Sequence, residues 1–184
     1  MQKESLLMPN ELRLNGKIIR LVVGFIIDIR NMDGLVYYAR PDLKLGAGFG
    51  TAISIQGGPK VQEELKKVGS ANITDVVVTG GGNLQARCIL HAVGPRFQEE
   101  DSEEKLRKTT LNALRKAEEH KLQKIAFPAM GSGFYGIPLE VCARVTLGVV
   151  REFLEKAAEP KEVVFCLRDS REGKVFQERL QRME

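Results

Sequence analysis

The chain has 184 residues, 43% apolar and 28% charged, with a formal net charge of +4. That is enough chain for one domain with a sizeable core, in the balance of an ordinary soluble globular protein. No apolar run reaches the length of a bilayer span, and residues 1–10 lack the basic-then-apolar pattern of an export signal, so the expectation is a cytoplasmic protein with no membrane partner. A pI near 9 suits anionic ligands but is too weak to point to nucleic acid by itself. The basic residues of 99–108 and 151–161 are interleaved with acids and read as solvated helix faces.

The chain carries no internal repeat, low-complexity segment or linker, so residues 1–184 read as one domain whose first ten residues form an N-terminal arm. Residues 11–14, Asn15-Gly16 and 17–27 read as a hairpin, since Asn-Gly between apolar runs marks a two-residue turn. Residues 35–39 form a short strand that Pro41-Asp42 ends. Leu45-Gly46-Ala47-Gly48-Phe49-Gly50-Thr51 is a glycine-rich turn entering a helix that Gly57-Gly58 stops, and Pro59 starts a second helix that continues to about Val68. Residues 75–79 and 87–93 read as strands, joined through Gly80-Gly81-Gly82-Asn83.

Ser102 is read as the cap of a helix with Leu106, Leu111, Leu114 and Ala117 at helical spacing. The apolar run Lys124 to Met130 reads as a buried strand that breaks into Gly131-Ser132-Gly133 and resumes as a helix near Pro138. Residues 139–157 carry the longest helical pattern, 162–167 a final buried strand, and Ser170 a last helical cap. Cys88, Cys142 and Cys166 each sit in an apolar run and read as buried free thiols. With His91 and His120 they form no convincing metal cluster. Strand–helix alternation after a mixed start predicts an α/β fold, a three-layer α/β/α sandwich around a central mixed sheet.

In such sheets ligands bind beyond the carboxyl ends of the strands. Both glycine-rich turns leave strands at such ends. A strand running through glycines into a helix presents bare backbone N–H groups, and two such turns facing one crevice favour a diphosphate.

Several segments together resemble the macro-domain family over roughly residue 17 to the C-terminus. They are Asp33-Gly34-Leu35-Val36, Gly46-Ala47-Gly48-Phe49-Gly50-Thr51-Ala52-Ile53, Val78-Thr79-Gly80, Ile89-Leu90-His91-Ala92-Val93-Gly94-Pro95, Ala126-Phe127-Pro128-Ala129 and Gly131-Ser132-Gly133-Phe134-Tyr135-Gly136. The resemblance implies binding of ADP-ribose or a related nucleotide, with hydrolysis of ADP-ribosyl groups in some members. It implies that Gly46, Ala47, Gly48, Phe49 and Gly50 wrap the diphosphate and proximal ribose. Gly131, Ser132, Gly133, Phe134 and Tyr135, with Gly136 behind them, would close from the other side.

The chain departs from the family pattern in two places. Where the family carries Gly-Asp-Ile, whose acid accepts from the adenine amino group, this chain has Gly24-Phe25-Ile26. A phenyl ring stacks or fills space but accepts no such bond. Where the family carries Asn-Ala-Ala-Asn, this chain has Tyr37-Tyr38-Ala39-Arg40. Arg40 replaces the Asn that contacts the distal ribose and is suited to a terminal phosphate or carboxylate; its alternatives are solvent or an ion pair with Asp42. The aromatic that often packs on adenine falls at Leu167 or Arg168.

The expected function is binding of an ADP-ribose-like small molecule by a monomer, without metal, cofactor or catalytic residue. Hydrolysis of ADP-ribosyl groups or removal of a terminal phosphate is the alternative, weakened by the missing Asn and by a His91 that reads as core. A third reading is an RNA- or protein-interaction module, with Phe25, Tyr37 and Tyr38 beside Arg20, Arg30 and Arg40.

Overall fold

Asn15 and Gly16 take φ of 49° and 80°, the left-handed pair of a tight hairpin turn. They join β1 (Glu11–Leu14) to β2 (Lys17–Val23) with Leu14 opposite Lys17. The computed structural model describes residues 10–46 and 48–184; residues 1–9, most of the expected arm, and Ala47 lie outside the described residues. The strands that follow are β3 (Gly34–Ala39), β4 (Val76–Gly80), β5 (Cys88–Val93), β6 (Lys124–Phe127) and β7 (Glu162–Leu167). They form one mixed sheet in the order β1-β2-β7-β6-β3-β5-β4. From β2 to β5 every neighbouring pair is parallel, and the flanking β1 and β4 are antiparallel to their neighbours.

Helices α1 (Phe49–Gly57) and α2 (Pro59–Val68) cover one face, where Ile53, Val61 and Leu65 pack with Tyr37, Ile89 and Val93. Helices α3 (Ser102–Glu119), α4 (Leu139–Lys156) and α5 (Ser170–Gln181) cover the other, where Leu106, Leu114, Val150 and Phe176 pack with Val36, Leu90 and Phe165. The predicted three-layer sandwich is therefore the observed one. Because both faces are covered, β3, β5 and β7 are buried at every position, the apolar-run pattern of parallel strands.

Four local expectations change. The strand expected to run to Ile27 stops at Val23: Gly24 still donates to the Leu167 carbonyl at 2.8 Å, and residues 26–28 then make a 3-10 turn that buries Ile26. The strand expected to reach Met130 stops at Phe127. Helix α3 is capped at Asp101, in the left-handed region at φ 55°, rather than by Ser102. Helix α5 is capped by Asp169, whose carboxylate accepts from the Glu172 N–H at 2.9 Å, rather than by Ser170. The three cysteines are buried free thiols as expected. Among the described residues no helix is long and apolar enough to cross a membrane.

Candidate ligand-binding site

Parallel strands point the same way, so β2, β7, β6, β3 and β5 turn their carboxyl ends toward one rim of the sheet. The first glycine-rich bend leaves β3 and the second leaves β6, and these strands are neighbours. The first bend begins at Gly46, beyond the loop 40–45 that follows Ala39, and the second at Gly131, beyond residues 128–130 that follow Phe127, so both lie past the same end of the sheet. The first enters α1 through Gly48, whose φ of 54° and ψ of −124° belong to glycine's own territory, with no side-chain cap on the helix. The Thr51 and Ala52 N–H groups turn back onto the Gly48 carbonyl at 3.1 and 3.4 Å, so the chain tightens into α1 directly after Gly48. The second bend passes through a 3-10 turn (Gly133–Tyr135), likewise uncapped by the Ser132 side chain, whose hydroxyl donates to the Ala129 carbonyl at 2.9 Å.

Two consecutive tyrosines of β3 brace the bends from opposite faces of the sheet. Tyr37 lies 5.6 Å from the Phe49 ring, and its hydroxyl would stand 2.5 Å from a Cβ placed on Gly50. Tyr38 lies 4.6 Å from the Tyr135 ring, and its hydroxyl donates to the Pro95 carbonyl at 2.5 Å. Burial pushes the Tyr37 hydroxyl up to about 12 and the Tyr38 hydroxyl higher still, so both stay neutral supports. Both are buried, at 8% and 7% exposure. The aromatic face imagined for single-stranded nucleic acid therefore lacks Tyr37 and Tyr38.

The remaining predicted residues separate by burial. Gly46, Gly48, Gly133, Phe134 and Gly136 are exposed on the rim, whereas Gly50 and Gly131 are packed beneath it. Ala47 lies outside the described residues. Ile26 is buried, and Phe25 stands 69% exposed beyond the end of β2. Arg40 makes the ion pair with Asp42, at 2.7 Å.

Two rim residues carry more weight than the sequence reading gave them. Arg168, at the end of β7, donates from its backbone N–H, Nε and Nη2 to the fully buried Glu172 carboxylate at 2.8, 2.9 and 2.6 Å. A Cβ on Gly133 would lie 3.4 Å from that guanidinium, so Arg168 is held against the second bend. The Arg–Glu spacing of four residues is the signal the sequence carries. Arg96, just past β5, was missed; its guanidinium rests 5.8 Å from the centre of the Phe134 ring. Its only sequence signal was its place after Gly94-Pro95 at a strand's carboxyl end.

Catalytic candidates are sparse at the rim. His91 is fully buried, its Nε2 is 2.9 Å from the Thr79 hydroxyl, and burial pulls its pKa down to about 4. Asp33 sits at the opposite end of β3 and accepts from the Gln123 and Lys124 N–H groups at 2.8 and 2.9 Å, tying β3 to β6. Among the described residues no group of three or more His, Cys, Asp or Glu side chains is placed to hold a metal.

Comparison with known proteins agrees with this architecture. The Macro domain family profile matches residues 39–146. A macro domain-containing protein of Caldanaerobacter subterraneus is 37% identical over 164 residues, 86% of this chain and 93% of that protein. An Enterobacter protein named O-acetyl-ADP-ribose deacetylase is 34% identical over 165 residues, 86% of this chain and 91% of its own length. The solved Oceanobacillus iheyensis macrodomain with ADP superposes with a TM-score of 0.88 at 27% identity, over 94% of this chain and 95% of that one.

Proposed function

This chain belongs to the macro-domain family, and on that premise we propose that its rim crevice binds ADP-ribose or a related phosphate-bearing nucleotide. The observation carrying the reading is the departure of two glycine-rich bends from neighbouring parallel strands at one rim. Their backbone N–H groups supply fixed positive dipoles to a diphosphate, and glycine lets the anion approach the backbone. The bends at 46–50 and 131–136 act as the phosphate-binding loops. The base lies toward Phe25 and Arg168, held by stacking on planar groups, because Phe25 accepts no hydrogen bond. We read the protein as a cytoplasmic monomer.

Calorimetric titration with ADP-ribose tests the reading. Gly48→Glu places a carboxylate and a strained backbone in the crevice, and a loss of about a hundredfold or more in affinity is expected. Unchanged affinity in a folded Gly48→Glu protein, or no heat from the wild type with millimolar ADP-ribose, refutes it.

The relative named for O-acetyl-ADP-ribose deacetylation favours hydrolysis at the same site as a second reading. Hydrolysis needs a positioned water and a polarising group. Arg40 now stands where the family's Asn is expected, and its guanidinium is engaged by Asp42. Binding is therefore the reading preferred here.

A further inference from the structure

The two outer edges of the sheet differ. β1 is four residues long and carries the ion pair Arg13–Glu11 at 2.8 Å, charges of the kind that blunt an edge. β4, at the other end, is Val76-Val77-Val78-Thr79-Gly80, with no charge and no proline. Its inner groups pair with β5: Asp75 accepts from the Val93 N–H at 2.9 Å, and Gly81 donates to the Arg87 carbonyl at 3.0 Å. Alternation along the strand turns the N–H and C=O groups of Val76, Val78 and Gly80 outward. Gly80 is already engaged, since its N–H donates to the Glu64 carboxylate at 3.0 Å and its carbonyl accepts from the Thr79 hydroxyl at 3.0 Å. Among the described residues the outward groups of Val76 and Val78 have no partner. The open strip is therefore a run of alternating backbone donors and acceptors, in the spacing that another extended backbone matches.

A cavity of about 450 Å³ lies along this strip, bounded by β4, by α3 and by the connection from α2. Val76 and Val77 belong to its wall and stay partly exposed. Asn112 of α3 donates to the Thr74 carbonyl at 2.9 Å, which fixes the helix beside the strand.

The charges of the wall are unequally engaged. Glu119 pairs with Lys116 at 2.7 Å, and Asp75 accepts from the Asn72 N–H at 2.9 Å. The exposed Arg115 guanidinium has no carboxylate partner among the described residues. Nor have the exposed Lys66 and Lys67, in the last turn of α2 next to the cavity residue Val68. The acids are thus held by partners within the protein, while these cations face solvent.

We infer that the outer edge of β4 docks an extended acidic segment of a partner protein, which adds to the seven-stranded sheet as a further strand and places a carboxylate on Arg115. Strand addition draws main-chain bonds from Val76 and Val78, and the cavity beside them selects the side chain. The guanidinium takes a carboxylate in a bidentate fork, with Lys66 and Lys67 adding charge of the same sign. The strip lies outside the nucleotide crevice, and its occupancy does not depend on how that crevice is used.

The test uses the whole protein and three short, blocked, fluorescein-labelled peptides that alternate valine and threonine around a central glutamate, glutamine or lysine. Anisotropy at low salt is expected to show the glutamate peptide binding about tenfold more tightly than the lysine one, with glutamine between. In Arg115→Glu that order should reverse. Hydrogen exchange locates the contact: the Val76 and Val78 amides, fast in the free protein, should slow when the glutamate peptide binds, while Val77 and Thr79 are slow throughout. Two N-methylated copies of that peptide, one for each alternate set of residues, should differ in affinity, since only the set facing β4 donates to it; this checks strand pairing without altering the protein. Equal binding of the three parent peptides, equal binding of the two methylated copies, no binding of the glutamate peptide at millimolar concentration, or unchanged exchange at Val76 and Val78 overturns the proposal. So does sedimentation showing a dimer of the free protein whose Val76 and Val78 amides are already protected, which would make a second copy the occupant.

Discussion

Gly50 illustrates how one position serves packing while sitting inside a binding motif. It lies in the first turn of α1, and a Cβ there would meet the Tyr37 hydroxyl at 2.5 Å and the Leu45 Cα at 3.2 Å. Overpacking of this kind costs about 1–3 kcal/mol, against roughly 1 kcal/mol of helix propensity gained by replacing glycine. We expect Gly50→Ala to lose up to about 2 kcal/mol in denaturant unfolding. Adding Tyr37→Phe, which removes the clashing oxygen, should recover most of that; no recovery would show the clash is not the cause. The residues that touch ligand and those that support them look alike in sequence. Gly46 and Gly48 stand in the open while Gly50 is buried, and the motif gives all three the same letter. Arg40 shows the converse: its type and position were legible, but its engagement by Asp42 depends on how the chain turns at Pro41.

Elements were legible where a local signal ended them. Asn15-Gly16, Gly57-Gly58 and Pro59 set boundaries that the structure keeps, because each fixes backbone angles by itself. Apolar run length failed as a guide to strand length. The runs after β2 and β6 continue into rim loops that bury Ile26, Ala129 and Met130 without strand geometry. The start of α5 was misread by one residue, since Asp169 and Ser170 are both good caps and only the observed bond to the Glu172 N–H decides between them. That start also fixes Arg168 through Glu172. Glu172→Ala should lower stability by about 2 kcal/mol, since three donors of Arg168 lose their buried acceptor. Thermal unfolding checks it. A change within about 0.5 kcal/mol would mean that Arg168 finds a substitute partner.

At the scale of the whole molecule, the family and layer order were legible because they rest on the sequence of elements, which no single side chain decides. The meeting of Arg40 and Arg96 at one cavity was not, since it depends on β5 lying next to β3 rather than on anything adjacent in sequence. Global stability should also carry the mark of one buried group. His91 keeps its neutral form down to about 4, below its ordinary value of 6.5, because burial disfavours the cation. The unfolded chain binds the proton first, so this contribution is intact above about pH 6.5 and is lost as pH falls toward 4, by roughly 3 kcal/mol in full. Denaturant midpoints measured across that window should decline, and the decline should be shallower in His91→Gln. Equal slopes would assign the acid sensitivity to other groups.

Tyr37 and Tyr38 are adjacent residues whose rings lie under different loops on opposite sides of β3. Side chains alternate along a strand, so a slip or deletion of one residue between Gly34 and Tyr38 would interchange them, presenting each loop with the wrong ring. This strand is therefore far more sensitive to its length than to its composition, and its spacing is the ruler by which the two halves of the crevice are aligned.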